Sequence, residues 1–503
     1  MILESGSMSI GYKMSVRVFF MFLFGIVLYS LIVLWYPNIM AEPSLRGICY
    51  FMNWVGILIF IVSVWSWFKE TGELMCPYII FLSFFFLFNY GQCVMWALGI
   101  HIDAEIGGFV YGFGEISTAD VVKGQIFTCL MMYMFHMGAL FCIKPKGSKK
   151  QLKGYMGQFK SIFLIGQILG VVAIPVTLFR AASALIISIL YGYNALYYSE
   201  YASQGGWMMV VEYFFFPSLV CLLIGGKYQK KIRIFVYSFF GIYMILNLLA
   251  GDRGSWLIKL VVLIWLYIKF CNGEKLRLRQ ISKWAIISYV GIWALGIFVK
   301  LRDIGLQNIR AEDVHNALSV QNSPIVSAFF ELGGSMNIVT MLLTYGEKIW
   351  TYGNSYILSI VGVLSTQMLT SLGLPFVLMD DWFSQDILGI SWGMGFSMVG
   401  EAYLNGGLYL GPLYMLILGF IIGSVLYINK NTDLLHHPIR YVFVATSLHT
   451  INSFSRGSSY LYLKQWFYGT VIVCLFIYIT CSMLKKRGAI GTELDGIVKK
   501  NDA

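Results

Sequence analysis

The 503-residue chain is 58% hydrophobic and 17% aromatic, and only 12% of it is charged, against roughly 25% in soluble domains. That excludes a water-soluble globular fold, because so much apolar surface needs lipid as its solvent. Inside lipid each segment must satisfy its own backbone polar groups, which leaves helices or a closed barrel. Apolar runs of about 20 residues without alternation select helices. The formal charge of +11 is not a nucleic-acid signal, since its placement has a topological reason. The nine cysteines are scattered without a Cys-x-x-Cys pair, which argues against a disulfide framework or a zinc site.

Twelve spans are expected in chain order. The first, Val16–Tyr36, follows Lys13 and Arg17 and reads as a retained anchor rather than a cleaved signal. Then come Ile48–Phe68, Pro77–Ile100, Gly124–Ile143, Ser161–Phe179, Trp207–Gly225, Ile234–Ala250, Trp256–Cys271 and Trp284–Leu301. Leu408–Ile428, Tyr441–Phe454 and Gln465–Leu484 complete the set. Basic clusters orient them: six lysines in Lys144–Lys160, four basic residues each in Lys227–Arg233 and Lys275–Lys283, and Lys485-Lys486-Arg487. With both termini cytoplasmic, all four clusters fall inside, as the positive-inside rule requires. The outer side receives His101–Val122, with four acids and no lysine or arginine.

The expected architecture is an all-α, polytopic membrane protein with one large outer loop. Residues 1–302 form a nine-helix membrane bundle, 303–407 the outer loop, 408–484 a three-helix membrane part and 485–503 a cytoplasmic tail. The outer loop carries nine acidic and two basic residues in an otherwise basic chain. Within it, Ile325–Tyr345 and Ser355–Leu374 are apolar enough to dip into the membrane. They read as packed or re-entrant helices. Glu331, two glycines and Asn337 interrupt the first, and Ser365, Thr366 and Gln367 the second.

Soluble-enzyme signatures are absent: no Walker loop, and no Gly-x-Gly-x-x-Gly at a strand–helix junction. No histidine pair has metal-ligand spacing on an outer helix, and His436-His437 before Pro438 reads as a solvated turn. No cofactor and no metal is expected. What remains is charge where lipid makes charge costly. Arg253 sits in the tight outer connection Gly251-Asp252-Arg253-Gly254, and Arg456 in Ser455-Arg456-Gly457-Ser458. Each reads either as an interfacial arginine or as a planar clamp for diphosphate oxygens. Arg302 and Arg310, at the exit of the ninth span, are further clamp candidates, while Lys300 reads as an interface anchor. Glu401 lies in the glycine-rich run that feeds the tenth span. It reads as a base for a sugar hydroxyl or as a structural ion pair. Asn405, four residues on, would share its helical face and either orient a hydroxyl or cap a helix. Glu331 is a weaker acidic candidate. Tyr403 and Trp392 could stack on sugar rings or belong to an aromatic belt.

The Gly-Asp-Arg-Gly turn, the large outer loop, the run Gly400-Glu401-Ala402-Tyr403-Leu404-Asn405-Gly406-Gly407 and the late Ser-Arg-Gly-Ser together resemble the Wzy-type O-antigen or capsule repeat-unit polymerases. Such enzymes usually show Asn-Phe-Gly where this chain has Asn405-Gly406-Gly407. The resemblance implies a glycosyltransferase of the bacterial inner membrane. It would move a growing glycan from undecaprenyl diphosphate onto a fresh lipid-linked repeat unit, with lipid as its surroundings and a chain-length regulator protein as a candidate partner. Arginines would stabilise the departing diphosphate and Glu401 would activate the acceptor hydroxyl, with Arg302, Arg310, Asn405, Glu331 and Tyr403 as substrate-binding candidates. The rival readings are an O-antigen ligase and a flippase or transporter for lipid-linked sugars.

Overall fold

A computed structural model describes residues 18, 21–30, 45–101, 109–110, 114–143, 156–191, 206–250, 252, 254–271, 324–350, 353, 355–374, 377–390, 395–429, 434 and 436–486. In chain order the helices are α1 (Met21–Ser30), α2 (Leu45–Thr71), α3 (Pro77–Ala97), α4 (Thr118–Leu140), α5 (Met156–Tyr191), α6 (Trp207–Glu212), α7 (Phe215–Gly225), α8 (Lys230–Ala250) and α9 (Ser255–Cys271). The stretch from residue 324 to 371 supplies α10 (Pro324–Leu332), α11 (Ser335–Ile349), α12 (Ser355–Gly362) and α13 (Thr366–Ser371). Then follow α14 (Met398–Leu426), α15 (Pro438–Phe454), α16 (Ser459–Trp466) and α17 (Val473–Lys486), the last two joined by a wider π-type turn. The described β structure is a minimal hairpin pairing Phe109–Val110 with Gly114–Glu115.

Seven helices among the described residues are long and apolar enough to cross a membrane, and they coincide with seven of the expected spans. The ninth expected span, Trp284–Leu301, lies outside the described residues, and the first is described chiefly over α1. The helices α9 and α15 are shorter, at 17 residues each. The helix α4 has the length but is buried along nearly all of it. Several boundaries differ from expectation: α4 begins at Thr118 rather than Gly124, α14 at Met398 rather than Leu408, and α16 at Ser459 rather than Gln465. The helix α5 runs 36 residues, through Pro175 and twelve residues past Phe179. At 1.5 Å per residue that is about 54 Å, and its Arg180 pairs with Glu212 of α6. The run Trp207–Gly225 is broken at Tyr213-Phe214, between α6 and α7.

The distribution of side chains is that of a protein in lipid. Along α2, Asn53, Ser63 and Ser66 are buried while Phe51, Trp54, Leu58, Ile61 and Trp65 are exposed. In water that arrangement would be unstable; against hydrocarbon it places each group with its own kind. Several polar groups inside pair with one another: Gln125 donates to Asn53 Oδ1 at 2.7 Å, and His136 lies between Ser66 Oγ (2.6 Å) and Tyr78 Oη (2.9 Å).

The central contact is α4 against α14. A Cβ on Gly138 would stand 1.9 Å from Leu416 O, and one on Gly419 would stand 1.9 Å from Phe135 O. Backbone therefore lies on backbone, the close approach that small residues allow between membrane helices. The α3–α10 contact works the same way, with Gly91 and Gly333 facing each other. These two contacts fix α10 and α14 on one scaffold with α3 and α4. The Gly333-Gly334 break between α10 and α11, and the break between α12 and α13, divide the two apolar stretches into short helices, with Glu331 and Asn337 lying inside α10 and α11 and Thr366 and Gln367 inside α13.

Candidate functional site

The site is assembled where α14 begins. Ser397 caps that helix by accepting from Gly400 N–H at 3.2 Å, as an N-cap serine does. Its own hydroxyl donates to Asn89 Oδ1 of α3 at 2.8 Å. Asn89 in turn donates to Ser455 O at 3.2 Å, and Phe396 N–H donates to Arg456 O at 3.0 Å. Gly395 (φ +76°) packs directly on Arg456: a Cβ there would stand 3.1 Å from Arg456 O. The entry to α14 and the turn after α15 are thus stitched together, though Phe396 and Arg456 stand 60 positions apart in sequence.

On the first turn of α14, Glu401 is fully buried. Its Oε1 accepts from Ser355 Oγ (2.8 Å) and Ser459 Oγ (2.6 Å), and its Oε2 accepts from Ser459 N–H (2.8 Å). Ser459 is the first residue of α16, so this carboxylate satisfies one of the orphan N–H groups of that helix and meets the positive end of its dipole. One turn on, Asn405 Oδ1 accepts from the N–H of Ser355, the first residue of α12, at 3.0 Å. Asn405 Nδ2 donates to Ser355 Oγ and, at 2.8 Å, to Glu401 O. Residues i and i+4 of α14 therefore cap two other helices. Gly407 (φ 62°, ψ −158°) interrupts α14 just after this turn.

A second carboxyl lies alongside. Asp380 is half-buried, and its Oδ2 accepts from Ser458 Oγ at 3.4 Å. Burial, then the charges of Glu401 and Asp381, push this carboxyl up to about 7, against hydrogen bonds from Ser458 that pull it down. Ser458 and Ser459, consecutive at the start of α16, thus each hold one acid. Ser359 Oγ lies 2.8 Å from Ser459 Oγ. Ser355, Ser359, Ser458, Met379, Trp350 and Tyr460 line a small cavity of about 10 Å³, the room one water needs.

The structure brings Glu401, Asn405 and Arg456 into one junction. Arg456 is half-buried and Glu331 is exposed on α10, outside the Glu401 network. Tyr403 is buried, its ring edge-on to Phe127 at 5.5 Å, so its place is in packing between α4 and α14. Arg253, Arg302, Arg310 and Trp392 lie outside the described residues. Sequence reading missed Ser355, Ser359, Ser459 and Asp380, and met Ser458 only as a neighbour of Arg456. Serines carry no spacing signal across such distances. Asp380 was visible only as one of nine acids in the loop. Among the described residues no group of three His, Cys, Asp or Glu side chains could hold a metal.

The lipid-facing helices and the buried carboxylate junction at one end of them define the class: a multi-pass helical membrane protein with a polar site built at the helix ends. Across residues 12–488 the chain matches the family O-antigen polysaccharide polymerase Wzy. It belongs to that family, and so to the membrane machinery of polysaccharide biosynthesis. No curated protein and no solved structure matches it.

Proposed function

We propose that this protein is an O-antigen polymerase that works as a membrane glycosyltransferase at the outer face of the bacterial inner membrane. Twelve spans, cytoplasmic termini and an outer segment 303–407 give it one face toward the lipid-linked glycans. The growing chain on undecaprenyl diphosphate passes to the non-reducing end of a new lipid-linked repeat unit. Arg456, with Arg253, Arg302 and Arg310 as candidate companions, stabilises the charge that gathers on the departing diphosphate. Holding both lipid-anchored reactants at one junction supplies proximity. A chain-length regulator is the expected protein partner.

The observation that carries this reading is the bond from Phe396 N–H to Arg456 O. Together with the Ser459–Glu401 bonds, it ties the turn that carries Arg456 to the helix start that carries the buried Glu401 carboxylate, which supports the reading. Deletion of the gene, followed by a gel of surface polysaccharide, tests it. A single-repeat product is expected. Lipid-linked polymer without attached glycan would instead indicate a ligase, and absence of any outer-leaflet glycan a flippase.

A further inference from the structure

The junction holds two acids in different ways. Glu401 is fully buried and accepts three hydrogen bonds. Asp380 accepts at 3.4 Å from Ser458 through one oxygen, and its Oδ1 is buried without a hydrogen-bond partner among the described residues. Buried polar atoms are nearly always paired, so an unpaired carboxyl oxygen calls for an explanation. Ser458 and Met379, the partner and the chain neighbour of Asp380, both line the small cavity. That cavity admits a hydroxyl rather than a sugar ring.

We propose that Asp380 is the general base that takes the proton of the acceptor sugar hydroxyl, and that Glu401 positions it through the Ser458-Ser459 pair. This inference rests on the polymerase reading above. The acceptor oxygen forms its bond to the anomeric carbon of the growing chain as the bond from that carbon to the lipid diphosphate breaks. The diphosphate leaves with the electron pair, and the hydroxyl proton passes to Asp380 Oδ1 and then to water.

A base works best when its proton affinity is matched to the working pH. Burial beside Glu401 and Asp381 gives Asp380 that property, holding it at about 7. The groups that act on it are Glu401 from α14, Asp381 on its own segment and Ser458 at the start of α16. Asp381 and Asp386 are exposed and lack its enclosed setting.

The test uses the full-length protein in its own membrane. Asp380→Asn keeps the shape and removes the base. With protein abundance unchanged, polymer beyond one repeat should fall by about 100-fold or more. Transfer between lipid-linked repeat units, measured in membranes, should fall for the unaltered protein as pH drops below about 7, with the slope of a single proton. A normal ladder in Asp380→Asn, or a flat profile for the unaltered protein from pH 5.5 to 8.5 (a range chosen to bracket ~7), overturns the inference. If Asp380→Asn fails to accumulate, the pH profile of the unaltered protein still decides. A gene deletion that leaves the ladder intact overturns the polymerase reading itself. Single repeats on deletion with a normal ladder in Asp380→Asn would overturn only the assignment of the base.

Discussion

Ser459 gives both its backbone N–H and its hydroxyl to the carboxylate of Glu401, at 2.8 and 2.6 Å. A residue at the start of one helix is thereby locked to the first turn of another, with no water between them. Glu401→Gln would put an amide N–H₂ where donors already point. Leaving a buried donor unsatisfied costs about 1–3 kcal/mol. A lower thermal midpoint than the unaltered protein is expected in detergent or nanodiscs. Ser459→Ala, which keeps the backbone N–H bond, should lose less. Equal stability of Glu401→Gln and the unaltered protein would show that the buried carboxylate is not structural.

Arg456 should tolerate lysine poorly. Its planar fork can engage two diphosphate oxygens at once, whereas an ammonium is a point charge. Arg456→Ala should leave the protein inserted and abundant but confine the product to single repeats. Arg456→Lys should restore only part of the ladder. A full ladder in Arg456→Ala would remove the clamp.

The Asp380 carboxyl also sets a pH dependence of stability. Its folded-state value, about 7, lies above its ordinary value of 3.8. The folded protein therefore binds the proton more tightly than the unfolded chain does. By linkage its contribution is present in acid and is lost as pH rises from about 4 through 7. The difference in thermal midpoint between Asp380→Asn and the unaltered protein should grow over that window, with the variant more stable at pH 8. A variant that gains stability while losing polymerisation separates a chemical role from a packing role.

The α4–α14 seam allows no added atom. Gly138→Ala and Gly419→Ala each place a Cβ within 1.9 Å of a backbone carbonyl oxygen, which only separation of the helices relieves. Overpacking of this kind costs typically 1–3 kcal/mol, occasionally more. Both variants should accumulate poorly or melt early, as read by abundance in membranes and by thermal unfolding. Gly47, with nothing within 4 Å of its Cβ position, should accept alanine and serves as the control.

Much of the fold was legible because lipid imposes a simple rule on composition: apolar runs of membrane length become helices. The ends of α3 and α8 follow from it closely, whereas α14 begins ten residues before the expected Leu408. The length of α5 does not, because Pro175 failed to stop a helix whose neighbours α7 and α8 pack along it. The site was legible only in part. Glu401 and Asn405 stood out as polar residues in an apolar, glycine-rich run, and their i, i+4 spacing correctly placed them on one helical face. What they bind did not stand out. Ser355 lies 46 residues before Glu401 and Ser459 lies 58 residues after it. Serine is too common to mark such pairings. Tyr403 was offered to a sugar because aromatics near carbohydrate are plausible, but its ring is taken by Phe127. Only the packing of α4 on α14 reveals that.

The interruption of α14 at Gly407 separates two duties. The stretch ahead of it is clamped to α12 and α16 and packs Tyr403 on Phe127 of α4, while the stretch beyond it continues the seam with α4. Bilayers of different thickness ask a membrane helix to change its tilt. The break at Gly407 gives α14 a place to bend beyond the turn that holds Glu401 and Asn405.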